Sequence, residues 1–169
     1  WILETLTASR PNVVALWSAL ASGYAQLGQH PKAMDALQQV KRLKPNDLNT
    51  VGLEIKVLSR AGKDSQATKL LVKNFDQQRY SYEMLEMGYE IGYKTSNWGL
   101  AIRSLELRNQ SWPDQAADGH MRLGKIFTQP DLHDEVRALV EFRKGLSALP
   151  DAEKESYRGQ VPAEFRQHM

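Results

Sequence analysis

Small, large and helix-breaking positions return along this chain at one fixed interval. Pro45 follows Pro11 by one interval and Pro113 follows Pro45 by two, with Arg79 at the missing step. Ala33, Ala67 and Ala101 keep the same beat, as do Leu37, Leu71 and Leu105, and Gly28 and Gly62. Between these markers apolar residues recur at helical spacing, so each interval holds two amphipathic helices joined by a turn. A period of about 34 residues predicts a stack of helical hairpins, in which neighbours bury what one hairpin alone would leave exposed.

Residues 14–47 form the cleanest unit. Trp17, Leu20 and Tyr24 make the apolar stripe of its first helix. Ala21 and Ala33 are small where two antiparallel helices approach most closely, and larger side chains there would force them apart. Gly28 permits a left-handed turn after the first helix, and Pro45 ends the second because it has no N–H to donate. The second unit, residues 48–81, keeps Val51, Ile55, Leu58, Gly62, Ala67 and Leu71. It carries Glu54 at an apolar position and Arg79 at the proline position.

The third unit, residues 82–115, holds the beat at Ala101, Leu105 and Pro113, with Ser96 or Asn97 to cap its second helix. Its first helix admits two registers. Strict spacing puts Gly88, Tyr89 and Gly92 at packing positions, where they fill space poorly. A shift of one residue buries Met84, Met87, Gly88 and Ile91 and requires one extra residue in the loop at 94–97. The shifted register is therefore the expectation.

The fourth unit, residues 117–152, contains Leu123, Gly124, Phe127, Ala138, Phe142 and Pro150, with His120 in the place of Trp17. The steps from Ala101 to Ala138 and from Pro113 to Pro150 both exceed the interval, and by the same amount, which marks a three-residue insertion. At least two of these residues belong to the turn at 128–135, where Pro130 and Asp131 signal a loop. Residues 1–10 read as the second helix of a preceding partial repeat, with Leu3 and Leu6 on its apolar face. Residues 153–169 read as a C-terminal cap, with Phe165 covering the last hairpin.

Trp17, Leu20, Ala21, Tyr24, Gly28, Ala33, Leu37 and Pro45 fall where the tetratricopeptide repeat family carries its characteristic residues, and the chain resembles that family over its whole length. The resemblance implies an all-α, right-handed superhelical solenoid of antiparallel helix pairs, with about four repeats in a single domain. It also implies a scaffold that binds a protein or peptide partner in a concave groove lined by the first helices. Beginning at Trp1 without a methionine, the chain reads as an excised piece of a larger protein, such as a bacterial assembly or envelope protein.

Composition narrows this only slightly. The 22 basic and 20 acidic residues leave a formal charge of +2, which gives no bulk attraction to nucleic acid or anionic lipid. The absence of cysteine removes disulfides and thiolate metal sites but leaves a cytoplasmic or a periplasmic location open. No apolar run is long enough to insert in a membrane. His30, His120, His133 and His168 lack metal-ligand spacing. No nucleophile elbow or phosphate loop appears, so neither an enzyme nor a cofactor is expected.

Carried over from the family, the groove positions are Ser18, Ser22 and Gln26 in the first unit and Lys56 and Arg60 in the second. In the shifted register the third offers Tyr82, Leu85, Tyr89 and Tyr93, and the fourth offers Met121, Lys125 and Gln129. Tyrosine combines a rigid apolar body with a polar tip, which suits a binding surface. With Lys56, Arg60 and Lys125 beside it, the groove is expected to hold a peptide carrying acidic residues. Family members that clamp the C-terminal carboxylate of heat-shock proteins use lysine and asparagine where this chain has Ser18 and Ser22, which argues against that partner. A second reading makes the chain an accessory domain of envelope machinery for polysaccharide synthesis, export or glycan transfer, with Tyr82, Tyr89 and Tyr93 stacking on a glycan.

Overall fold

The computed structural model describes residues 2–169, and within them the chain is helices and short connections. The helices are α1 (Ile2–Ser9), α2 (Val14–Gln26), α3 (His30–Leu43), α4 (Leu48–Arg60), α5 (Asp64–Asp76) and α6 (Tyr82–Lys94). They continue with α7 (Trp98–Ser111), α8 (Ala116–Phe127), α9 (Glu135–Ser147), α10 (Asp151–Gln160) and α11 (Ala163–Arg166), with a 3₁₀ turn at Pro113–Gln115. They group into two compact units, one ending at Thr95 and the other running from Ser96 to Met169.

The first helices of the repeats begin at Val14, Leu48, Tyr82 and Ala116, and every step between them is the same. That spacing corrects the shifted register expected for α6. The loop from α6 to α7 is Thr95–Asn97, as short as Leu27–Gln29 and Ala61–Lys63, and contains no extra residue. Ser96 takes the place of Gly28 and Gly62, with φ of 53° against 71° at both glycines, and Asn97 caps α7 by accepting from the Leu100 N–H. Of the strict packing positions, Leu85, Gly88 and Gly92 are buried and Tyr89 is half-buried; of the shifted ones, Met84 and Ile91 are buried and Met87 is half-buried. Gly88 and Gly92 fill little space themselves, and the large buried residues around them supply the apolar surface. In the fourth repeat the connection is Thr128–Asp134, so the insertion lies in that turn.

In the first unit, Leu20, Ala21, Ala25, Ala33, Ala36, Leu37 and Val57 form one apolar cluster, with Leu3, Trp17 and Tyr24 packed against it. α1 is the expected partial helix. Leu3 touches the core but Leu6 stays exposed, and the Glu4 carboxylate accepts from the Tyr24 hydroxyl. Both departures of the second repeat are answered by polar contacts. Glu54 accepts from Lys41 at 2.6 Å. Arg79, standing where proline is missing, donates to the Asn46 carbonyl at 2.7 Å and ties that connection to the one after α3.

In the second unit, Phe142 is fully buried and packs its ring 5.4 Å from Phe165 of α11, the expected cover of the last hairpin. α8 approaches α9 so closely that a Cβ on Gly124 would lie 2.3 Å from the Phe142 ring. Gly52 of α4 differs: a Cβ there would meet only Met84, at an ordinary 3.7 Å.

These two sites predict opposite signs for one substitution. Gly52→Ala should stabilise the first unit by about 1 kcal/mol through helix propensity. Gly124→Ala should destabilise by roughly 1–3 kcal/mol, because overpacking against a rigid ring outweighs that gain. Urea unfolding of both variants checks the pair. Ser96→Gly should be stabilising by up to about 1 kcal/mol, since it relieves a left-handed side-chain residue.

Candidate functional site

The first unit carries a cleft of about 420 Å³ between α4 and α6, with Ser22 of α2 at its margin. Its walls are built from equivalent positions of successive repeats: Leu48 with Tyr82, Asn49 with Glu83, Gly52 with Glu86, Leu53 with Met87, and Lys56 with Glu90. The members of each pair stand one repeat apart, so the same periodicity that builds the core builds the cleft. α5 runs back between α4 and α6, which makes those two helices parallel and aligns their walls end to end.

The walls differ in charge. α4 presents Lys56 and Arg60 one turn apart, whereas α6 presents Glu83, Glu86 and Glu90. Lys56, Arg60, Glu83 and Glu90 form no ion pair among the described residues. Like charges one turn apart on a helix, as Lys56 and Arg60 are, repel by a few tenths of a kcal/mol. Leu53, Met87 and Ile91 give the cleft an apolar component between the charged rows.

Of the residues expected to face a partner, Lys56, Arg60 and Tyr82 line this cleft. Leu85 and Met121 do not reach any surface: both are buried, because the strict register turns Leu85 to the core and Met121 packs within the second unit. Tyr89 and Tyr93 do not line the cleft. Their rings sit 5.8 Å apart on the adjoining face of α6, tilted by 49°, with Tyr93 exposed. Lys125 is exposed on α8 in the second unit. Glu83, Glu86 and Glu90 line the cleft instead, the outcome that the strict register of α6 entails, one repeat step on from Asn49, Gly52 and Lys56.

The second unit holds a compact polar cluster. His120 Nδ1 donates to Glu141 at 2.6 Å, and Lys144 donates to the other carboxylate oxygen at 2.7 Å. Nearby, the buried Arg108 guanidinium donates to Asp118 at 2.6 Å. Burial of Glu141 opposes its ionisation, but the hydrogen bonds and charges of His120 and Lys144 prevail and hold its carboxyl below the ordinary value. No group of three or more histidine, aspartate or glutamate side chains suited to a metal ion occurs among the described residues.

No protein-family model matches the sequence, and no curated protein matches it. The fold does match solved structures. PilW, a widely conserved type IV pilus biogenesis factor, superposes with a TM-score of 0.65 at 16% identity, over 98% of this chain and 87% of that one. MamA superposes with a TM-score of 0.65 at 16% identity, over 92% of this chain and 85% of that one. Both are tetratricopeptide repeat proteins. This chain has the tetratricopeptide repeat fold, all-helical and made of packed adjacent helix pairs.

The lowered Glu141 carboxyl predicts a pH dependence. A group whose pKa falls on folding contributes stability that is present above its unfolded value, near 4, and is lost as pH drops through the lower folded one. Melting temperature should therefore fall on acidification through that window. In Lys144→Ala the fall should be shallower, which circular dichroism melts at stepped pH would register.

Proposed function

We propose that this chain is a protein-interaction scaffold that holds a segment of its partner in the cleft between α4 and α6. The observation that carries this reading is the pairing of unsatisfied charge with apolar surface in one concave site. Lys56, Arg60, Glu83 and Glu90 have no counter-ion among the described residues, and Leu53 and Met87 lie between them. An apolar centre supplies affinity when desolvated, while charges at its edges set association rate and orientation. PilW and MamA share the fold, and a scaffold role is consistent with PilW's part in pilus biogenesis.

The glycan reading divides its tyrosines between the cleft and the adjoining face of α6, where Tyr89 and Tyr93 stand together. Of the three tyrosines it needs, only Tyr82 borders the cleft.

The test compares variants of the cleft with variants of the neighbouring face. Tyr82→Ala should weaken partner binding by about 2 kcal/mol if the ring is a binding hot spot. Lys56→Ala should have a smaller effect that fades as salt rises past about 0.15 M. Tyr93→Ala, outside the cleft, should leave affinity unchanged. Isothermal titration with the partner recovered on immobilised wild-type chain reads all three. Equal affinity of wild type and Tyr82→Ala, with loss in Tyr93→Ala, would move the interface off the cleft.

A further inference from the structure

The opposite signs of the two cleft walls restrict what can lie between them. A purely acidic peptide would satisfy Lys56 and Arg60 but lie against the carboxylates of Glu83 and Glu90. A purely basic one would do the reverse. An occupant that satisfies both walls at once must present acid to α4 and base to α6.

The geometry selects how those charges are ordered. Lys56 and Arg60 are four residues apart on one helix, so they stand roughly 6 Å apart along its axis. Alternate residues of an extended chain point to the same side and repeat at about 6.6 Å, while the residue between them points to the opposite side. Two acidic residues at positions i and i+2 therefore match Lys56 and Arg60, and the residue at i+1 faces the other wall. Glu90 stands on that wall at the position equivalent to Lys56, one repeat further along the chain.

From this we infer that the cleft recognises an extended segment of a protein partner in which an acidic, a basic and an acidic residue follow one another, flanked by apolar residues that meet Leu53 and Met87. The inference rests on the cleft being the partner-binding site, and it adds the charge order of the occupant. Charge order gives selectivity without deep burial, because a segment with the same residues in block order leaves one wall uncompensated.

The experiment uses the 169-residue chain and short leucine-flanked peptides, acetylated and amidated, with centres Asp–Lys–Asp, Asp–Asp–Lys and Asp–Asp–Asp. Binding is read by amide NMR titration, with the Ser22 and Gly52 signals reporting on the cleft. The alternating peptide should bind about fivefold more tightly than either of the others, the scale of one or two partly exposed charge pairs, and the gap should close as salt rises. The double reversal Lys56→Glu with Glu90→Lys preserves net charge and leaves Arg60 in place, so it should transfer the preference to the block-order Asp–Asp–Lys peptide, whose lysine meets position 56 while its aspartates meet Arg60 and position 90. Glu90→Gln, which adds no charge, should abolish the advantage of Asp–Lys–Asp over Asp–Asp–Asp and covers the case in which the double variant loses helicity. Equal or tighter binding of Asp–Asp–Asp to wild type would overturn the inference. If all peptides move the cleft signals alike, the cleft remains the binding site and only the charge order falls. If none moves them, both readings fall.

Discussion

The close approach of antiparallel helices is the constraint on which this molecule depends. Ala21, Ala33, Ala67, Ala101 and Ala138 are completely buried, and Gly124 packs against the Phe142 ring at a distance that leaves no room for a Cβ. A methyl group or less at these points lets large neighbours, among them Leu37, Leu71, Leu105 and Phe142, close over the contact. Dispersion contacts are weak singly and substantial when this many atoms meet. Ala33, Ala67 and Ala101 recur at one interval, and the first helices begin at equivalent positions from α2 to α8.

This constraint is written openly in the sequence, and most of the fold is legible there. The positions of Gly28, Gly62, Pro45 and the alanine beat locate α2 to α5 closely. Reading failed where a rule about residue size competed with the period. Gly88 and Gly92 look like poor packing residues, which favoured a shift that buried Met87 instead. In the structure the interval prevails: Met84, Leu85 and Ile91 provide the apolar surface, and the glycines occupy the strict positions. The sequence places a loop at 94–97, but Ser96 gives no sign of the positive φ that lets this loop match the short glycine turns.

The same error displaced the candidate site. A register one residue off turns a helix by about 100°, enough to exchange an aromatic face for an acidic one. Once α6 is in strict register, the carboxylates of Glu83, Glu86 and Glu90 stand across from Lys56 and Arg60. Lys56, Arg60 and Tyr82 were legible because they lie in or at the start of well-defined repeats. The acidic wall was not, since it depended on the one helix whose register the residues left ambiguous. Polar replacements elsewhere, Glu54 with Lys41 and Arg79 with the Asn46 carbonyl, show that charge at a repeat position is answered within the fold. Lys56, Arg60, Glu83 and Glu90 of the cleft form no such ion pair among the described residues.

Zero-length carbodiimide cross-linking tests the opposed walls most directly, because it joins lysine amines to carboxylates that come within contact of each other. Lys56 forms no ion pair in the structure, but its flexible four-carbon stem can swing across the cleft, so digestion and mass spectrometry should recover Lys56 linked to Glu90. Lys41–Glu54 at 2.6 Å and Lys94–Asp64 at 2.8 Å serve as internal positive controls in the same sample. Recovery of both controls without any link from Lys56 to α6 would contradict the strict register and the charge-divided cleft together.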